Sequence, residues 1–255
     1  MLFTMDVGNS NVLMGIFNGA ELIAHWRIRT HKTRTLDEHK VLLEQLFQLE
    51  RIDKTRISHG VLACVVPPLQ DVMVKLMRDY LGLAPLVVGP GIKTGMAIKL
   101  DNPREVGADR IVNAVAAFET VKTSCIVVDF GTATTLDVIS ERGEYLGGVI
   151  APGLHISADA LYRNTSKLPR VPVVEPPSVV GKSTVESIQS GLVYGYVCLV
   201  DGLLERTMKE LNFGDCKVFA TGGLAGLIAK NSKYIDEVDD FLTLKGLRLL
   251  HEKNA

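Results

Sequence analysis

Cysteine is scarce and scattered in this chain. Cys64, Cys125, Cys198 and Cys216 form no C-x-x-C pair, and the six histidines show no H-x-x-x-H or H-E-x-x-H spacing. Nothing here supplies a structural zinc site or a disulfide framework, and dispersed thiols suit a reducing compartment. Cys125 and Cys198 stand in apolar runs and are expected to be small core side chains. An excess of either charge is also missing: 28 Lys and Arg face 29 Asp and Glu, a net charge of −1. Without clustered positive charge there is no long-range field to hold a phosphodiester backbone, so no nucleic-acid partner is expected. The amino terminus, Met1-Leu2-Phe3-Thr4-Met5-Asp6, lacks the basic start of a secretory leader. The longest apolar stretch, Gly191 to Leu204, contains Asp201 and falls short of the roughly 20 residues that cross a bilayer. A cytoplasmic location with no membrane partner is expected.

What is present is an ordinary globular mixture, 47% apolar and 22% charged, in 255 residues, enough for one large domain or two small ones. Short apolar runs at Leu2–Val7, Val12–Phe17 and Glu21–Ile28 predict three strands, the last two joined at the hairpin-type turn Asn18-Gly19. Val41, Leu42, Leu46 and Leu49 recur at helical spacing within Leu36–Glu50. A strand at Val61–Val66 follows, then a helix opened by Pro67-Pro68, where proline is tolerated, and a short strand at Leu86–Val88. The second half repeats the order, with strands at Cys125–Phe130, Thr134–Ser140 and Glu144–Ile150 and a helix at Leu154–Tyr162. Pro169, Pro172, Pro176 and Pro177 then demand an extended connection. Ser183-Thr184-Val185-Glu186 is a capping-box signal for a long helix to about Leu211. Lys217–Thr221 reads as a strand, with a further helix after Gly222-Gly223.

The two halves match in detail. Asp6-Val7-Gly8-Asn9-Ser10-Asn11-Val12-Leu13 aligns without a gap on Asp129-Phe130-Gly131-Thr132-Ala133-Thr134-Thr135-Leu136, at a constant offset of 123 residues. In both, a strand ends in a carboxylate, a glycine follows two places on, and small polar residues lead into the next strand. Duplication predicts two α/β lobes, residues 1–118 and 119–255, facing each other across a cleft.

A carboxylate at a strand end before a turn of Gly, Asn, Ser and Thr is equipped to handle phosphate. Glycine admits close backbone approach, N–H and hydroxyl groups donate to phosphate oxygens, and the carboxylate can hold a metal ion directly or through water. One copy alone would read as an ordinary hairpin. Two copies, together with the small-residue loop Gly222-Gly223-Leu224-Ala225-Gly226 on which an adenosine could lie, favour the phosphate reading. Other nucleotide folds are excluded. Gly181-Lys182-Ser183 resembles the end of a P-loop, but Pro176 occupies the position of its first glycine. No G-x-G-x-x-G marks a strand–helix junction.

The segment Asn102-Pro103-Arg104-Glu105-Val106-Gly107-Ala108-Asp109-Arg110 reads as a helix start, with Val106, Ile111, Val115 and Phe118 forming the apolar face that follows. Gly107-Ala108 keeps the surface beside Asp109-Arg110 open to a small substrate. Asp109 and Arg110 are either a solvated ion pair or a base for an attacking hydroxyl beside a bidentate anion binder.

These motifs, D-V-G-N-S-N at 6–11, G-A-D-R at 107–110, D-F-G-T-A-T-T at 129–135 and G-G-V-I-A-P-G at 147–153, resemble those of the type III pantothenate kinases. That family belongs to the superfamily of acetate and sugar kinases, Hsp70 and actin. The resemblance spans nearly the whole chain, and it implies two duplicated ribonuclease H-like lobes with a nucleotide cleft between them, the actin-like ATPase fold. It further implies ATP-dependent phosphorylation of pantothenate by a cytoplasmic homodimer. Asp6, Val7, Gly8, Asn9, Ser10, Asn11, Val12 and Leu13 would bind ATP phosphates, with Asp6 helping to hold Mg²⁺, and Thr132 would contact ATP from the second hairpin. Asp129 would bind a monovalent cation, K⁺ or NH₄⁺. Gly107, Ala108, Asp109, Arg110 and Thr184 would cradle pantothenate, Asp109 accepting the proton. One position departs from the family pattern: Leu100 stands where many relatives carry a tyrosine that touches pantothenate. The rival expectations are a superfamily kinase for another small hydroxyl compound, such as a sugar, and an ATP-binding regulatory protein with no acceptor. Val193, Tyr194, Tyr196 and Val197 on the long helix suit either a subunit boundary or the core.

Overall fold

The computed structural model describes residues 1–255. In chain order the first elements are β1 (Leu2–Val7), β2 (Asn11–Asn18), β3 (Glu21–Arg29), α1 (Leu36–Leu49), β4 (His59–Cys64), α2 (Pro67–Leu81), β5 (Leu86–Val87) and β6 (Ala97–Ile98). There follow α3 (Ala108–Val121), β7 (Cys125–Phe130), β8 (Ala133–Ile139), β9 (Glu144–Pro152), α4 (Leu154–Asn164), α5 (Thr184–Glu210), β10 (Lys217–Gly222), α6 (Ala225–Ala229), β11 (Glu237–Val238) and α7 (Leu242–Asn254). They group into two units. The first comprises Met1–Met96, Asp101–Ala116 and Leu242–Ala255; the second comprises Ala97–Leu100 and Ala117–Phe241.

In the first unit β1 pairs antiparallel with β2 and parallel with β4, giving the order β3-β2-β1-β4-β5. The central strand β1 is buried along almost its full length, as strands covered on both faces are. One cover is α1 and α2, whose Leu43, Phe47, Leu69, Met73 and Leu76 meet Phe3, Met5, Val12, Met14 and Trp26. Thr35 fixes the start of α1 through a reciprocal capping box with Glu38. The other cover is α7, the last helix of the chain, which lies across β1, β2 and β4.

The second unit repeats the plan. Its sheet runs β11-β10-β7-β8-β9, with β6 added at the β9 edge, and β7 is antiparallel to β8 and parallel to β10. Two sheets of the same order and sense form the duplicated ribonuclease H-like α/β architecture. Ile126, Val128, Leu136 and Val138 pack on one face against α4, α5 and α6. The Pro-rich segment 165–183 carries no regular structure. The length and mean hydropathy of α5 would suit a membrane span, but Ile188, Leu192, Val193, Tyr196, Val197, Val200 and Leu204 are buried within the unit, which makes it a core helix.

Three expectations are corrected. The gapless alignment of the two hairpins fails beyond the turn: Asp6 pairs with Leu13, but Asp129 pairs with Thr135 rather than Leu136. The second turn is one residue shorter, so Val12 corresponds to Thr134 and Met14 to Leu136, and the burial patterns of β2 and β8 agree in that register. The helix does not start at Asn102. Asn102 caps only a three-residue 3-10 turn, Pro103–Glu105, and α3 begins at Ala108 after an extended Val106. Cys125 is buried but Cys198 is exposed, because it projects from the side of α5 opposite Val193, Val197 and Val200. On the same helix Val193, Tyr196 and Val197 belong to the core, and Tyr194 is half-buried.

Candidate active site

In the first unit β1 delivers Asp6, half-buried, to the lip of the sheet, and the chain turns through Gly8, Asn9 and Ser10 into β2. The Gly8 N–H donates to the Asn11 carbonyl at 3.0 Å and closes the turn. The side chains of Val7 and Val12 lie in the core, so only their backbone can face a ligand, while Asn9, Ser10 and Asn11 are exposed and Leu13 is half-buried. One partner of this turn carried no signal in the sequence: Thr30, just past β3, donates its hydroxyl to the Gly8 carbonyl at 2.7 Å and its N–H to the Ser10 carbonyl at 2.9 Å.

In the second unit Asp129 holds the equivalent place at the end of β7, flanked by Thr135 on β8 and Thr221 on β10. Gly131 donates to the Ala133 carbonyl at 3.1 Å, and Thr132 is exposed at the tip of the turn. Gly222 ends β10 at φ 95°, and a Cβ there would lie 2.6 Å from Asp129 Oδ1 and 2.7 Å from the Phe130 carbonyl oxygen. Glycine is required on both counts, and the space it leaves is edged by a carboxylate and a carbonyl. That is an all-oxygen donor set, the kind hard cations prefer. No group of three or more His, Cys, Asp or Glu side chains is placed to hold a metal ion by itself.

Ala108, Asp109 and Arg110 open α3 in the first unit and Gly107 directly precedes it, all four half-buried. Asp109 Oδ1 accepts the Arg110 N–H at 2.9 Å. Burial raises the Asp109 pKa above its ordinary value, although the hydrogen bond from Arg110 and its charge pull the other way. A carboxylate so raised is a better proton acceptor near neutral pH than an exposed one. Gly107 is tied to it sterically, since a Cβ on Gly107 would stand 2.5 Å from Asp109 Oδ1. The following turn of α3 is anchored by α7: buried Thr243 donates to Asn113 Oδ1 at 2.7 Å, and Gly246 lies directly against the Val112 backbone. Nothing in the local sequence marked Asn113, Thr243 or Gly246, because their pairing spans about half the chain.

Thr184 is the exposed first residue of α5, and Ser183 caps that helix by accepting the Glu186 N–H at 3.2 Å. Thr184 lines an open groove of about 1170 Å³ within the second unit, shared with Ser157, Asn164, Leu161, Ser187 and Leu192. Gly223 and Gly226 are exposed before and within α6, and Gly226 has open space where a Cβ would be.

Comparison with known proteins identifies the family. A sequence profile described as type III pantothenate kinase matches residues 2–206. Over 254 residues, covering 100% of each chain, the sequence is 58% identical to a type III pantothenate kinase from Anaeromyxobacter sp. (strain Fw109-5). It is 54% identical to one from Myxococcus xanthus (strain DK1622), covering 100% of this chain and 99% of that one. Among solved structures, a Campylobacter jejuni protein described as a Baf family transcriptional activator superposes with a TM-score of 0.61 at 18% identity, over 99% of this chain and 98% of that one. That likeness speaks for the fold alone.

Proposed function

The chain belongs to the type III pantothenate kinase family, and we propose that it transfers the γ-phosphoryl group of ATP to the primary hydroxyl of pantothenate. The product is 4′-phosphopantothenate, made in the first step of coenzyme A biosynthesis. The observation that carries this reading is 58% identity to such a kinase over the full length of both chains.

Each candidate residue has a part in it. The turn after Asp6, residues 6–13, offers N–H groups and small polar side chains to the ATP phosphates, and Thr132 adds a contact from the second hairpin. Asp6 would hold Mg²⁺, directly or through water. Asp129, with the Phe130 carbonyl beside it, would hold K⁺ or NH₄⁺. Such ions, when bound, neutralise charge that builds on the transferred group. Arg110 binds the pantothenate carboxylate, Gly107 and Ala108 let the substrate lie close, and Thr184 supplies a further polar contact. Asp109 takes the hydroxyl proton as the new O–P bond forms and the bond to the leaving ADP oxygen breaks. The protein acts as a cytoplasmic homodimer, a state that light scattering tests.

A coupled assay of ATP consumption with pantothenate in K⁺ buffer tests the reaction. Preference for a sugar would replace pantothenate as the substrate, and slow hydrolysis indifferent to any acceptor would replace the kinase reading altogether. Equal rates in K⁺ and Na⁺ would remove the cation role from Asp129. Asp109→Asn should lower turnover by at least about a hundredfold, as loss of a general base does, with ATP binding intact. The same change should remove the acidic limb of the rate–pH profile, which in the native enzyme should fall above the ordinary aspartate range because burial raises the Asp109 pKa.

A further inference from the structure

Thr30 belongs to none of the motifs, yet it makes two hydrogen bonds to the turn between β1 and β2. Its hydroxyl donates to the Gly8 carbonyl at 2.7 Å, and its N–H donates to the Ser10 carbonyl at 2.9 Å. These two bonds have a consequence on the opposite side of the turn. A trans peptide is planar, and its C=O and N–H point in opposite directions. With the Gly8 carbonyl held toward Thr30, the N–H of Asn9 is held away from it. With the Ser10 carbonyl held toward Thr30, the N–H of Asn11 is likewise directed away.

We propose that Thr30 is a positioning residue of the nucleotide site, aiming the N–H groups of Asn9 and Asn11 at ATP phosphate and keeping the Gly8 and Ser10 carbonyl dipoles turned from it. The inference rests on the reading of residues 6–13 as the phosphate turn. A carbonyl facing a phosphate is repulsive and an N–H is attractive, so one flipped peptide changes the sign of a contact. Gly8, Asn9 and Ser10 all favour conformational variety, so the two Thr30 bonds add a constraint to the single one that the Gly8 N–H bond to the Asn11 carbonyl supplies. Thr30 is itself half-buried and fixed at the end of β3, where Asn11 pairs with Arg29. It acts only through the turn and is not a catalytic residue.

The test is a pair of substitutions, Thr30→Val, which keeps the shape and loses the hydroxyl, and Thr30→Ser, which keeps the donor. Steady-state kinetics, fluorescent-nucleotide binding and thermal unfolding are measured on the full chain. Thr30→Val should raise the ATP KM and weaken nucleotide binding about tenfold, the worth of one well-placed hydrogen bond. The pantothenate KM should change less than about twofold, and Thr30→Ser should restore ATP affinity to within about twofold. The comparison variant is Gly8→Val, which crowds the turn directly, since even a Cβ there would stand 3.1 Å from the Asn11 carbonyl. If Gly8→Val loses ATP affinity and Thr30→Val does not, the role of Thr30 is overturned and the phosphate turn stands. If neither variant alters ATP affinity, the phosphate turn itself is wrong and the inference falls with it. If Thr30→Val weakens both substrates alike while lowering the melting temperature, Thr30 is only a structural support.

Discussion

Gly107→Ala should separate catalysis from stability in this enzyme. Gly107 has no left-handed backbone to protect, so alanine is tolerated by φ and ψ. The obstacle is Asp109: the new Cβ would lie 2.5 Å from Oδ1, and ordinary contact begins at 3.4 Å. The carboxylate must therefore retreat by about 0.9 Å, turning about its own side-chain bonds. That movement also breaks its hydrogen bond from the Arg110 N–H. Displacing a reacting group by roughly 1 Å costs about a hundredfold in rate, or about 2.7 kcal/mol of barrier. Stability should hardly change. The lost hydrogen bond costs about 1 kcal/mol, and replacing glycine stabilises by roughly 0.4–1 kcal/mol through the unfolded chain. The melting temperature should stay within about 4 °C of the parent. Saturating both substrates in the coupled assay reads the rate, and calorimetry reads the melting point. Turnover within about threefold of the parent would refute the placement of Asp109 beside the reacting hydroxyl. A fall in melting temperature beyond about 10 °C would show that Gly107 serves packing instead.

Two further outcomes follow from buried contacts in the first unit. Gly246→Ala on α7 would place a Cβ 2.2 Å from the Val112 carbonyl oxygen of α3, a backbone atom that cannot swing aside. Overpacking of this kind costs about 1–3 kcal/mol, so calorimetry should show a loss of roughly 3–10 °C, with turnover falling because α3 carries Asp109; an unchanged melting point would mean the two helices part freely. The second outcome concerns His39, buried on α1 against Met5, Val12, Met14, Ile28 and Met73, with no hydrogen-bond partner for Nε2. Burial lowers its pKa, the positive charges of Arg34 and His31 add to this, and Glu38 opposes it. The unfolded histidine, with a pKa of about 6.5, then binds more protons than the folded one, so stability is full above that pH and falls as acid is added. Urea midpoints should drop between pH 7 and pH 5, and His39→Leu should lose part of that slope while His251, shifted the same way, retains its share; an unchanged slope would remove His39 from the acid response.

Much of this architecture was legible because the strands of both halves are short, apolar and bounded by turn residues, and because the duplicated D-x-G turn stands at the same place in each. The acidic residues, the glycines after them and the Asp109 segment could be proposed for the same reason: they lie in contiguous stretches of chain. Contacts made over long separations were not. Nothing near Thr30 announces that its hydroxyl closes a turn some twenty residues earlier, and nothing in Leu242–Asn254 tells that α7 returns to the first sheet. Cys198 illustrates a different limit, since an apolar neighbourhood in sequence does not say which side of a helix a residue occupies.

The hairpin register carries the sharpest lesson. Asp6 and Asp129 do share one position, as do Val7 and Phe130, so the offset of 123 residues is right on the first strand of each unit. After the turn it becomes 122, since Leu13 faces Asp6 but Thr135 faces Asp129. A strand alternates its side chains with period two, so a slip of one residue would send every side chain of β8 to the wrong face. The alignment looked gapless because Asn, Ser, Thr and Ala substitute easily in turns, whereas burial does not. Leu136 and Val138 are buried in the core cluster, as Met14 and Ile16 are in theirs, and Asp137 takes the buried position of Gly15. The shorter second turn places Thr132 at its tip, where the first unit spends one more residue. Both turns are held from the end of the third strand of their unit, by the Thr30 N–H on the Ser10 carbonyl at 2.9 Å and by the Gly153 N–H on the Thr132 carbonyl at 3.2 Å, so the one-residue difference is absorbed inside the turn and not in what braces it.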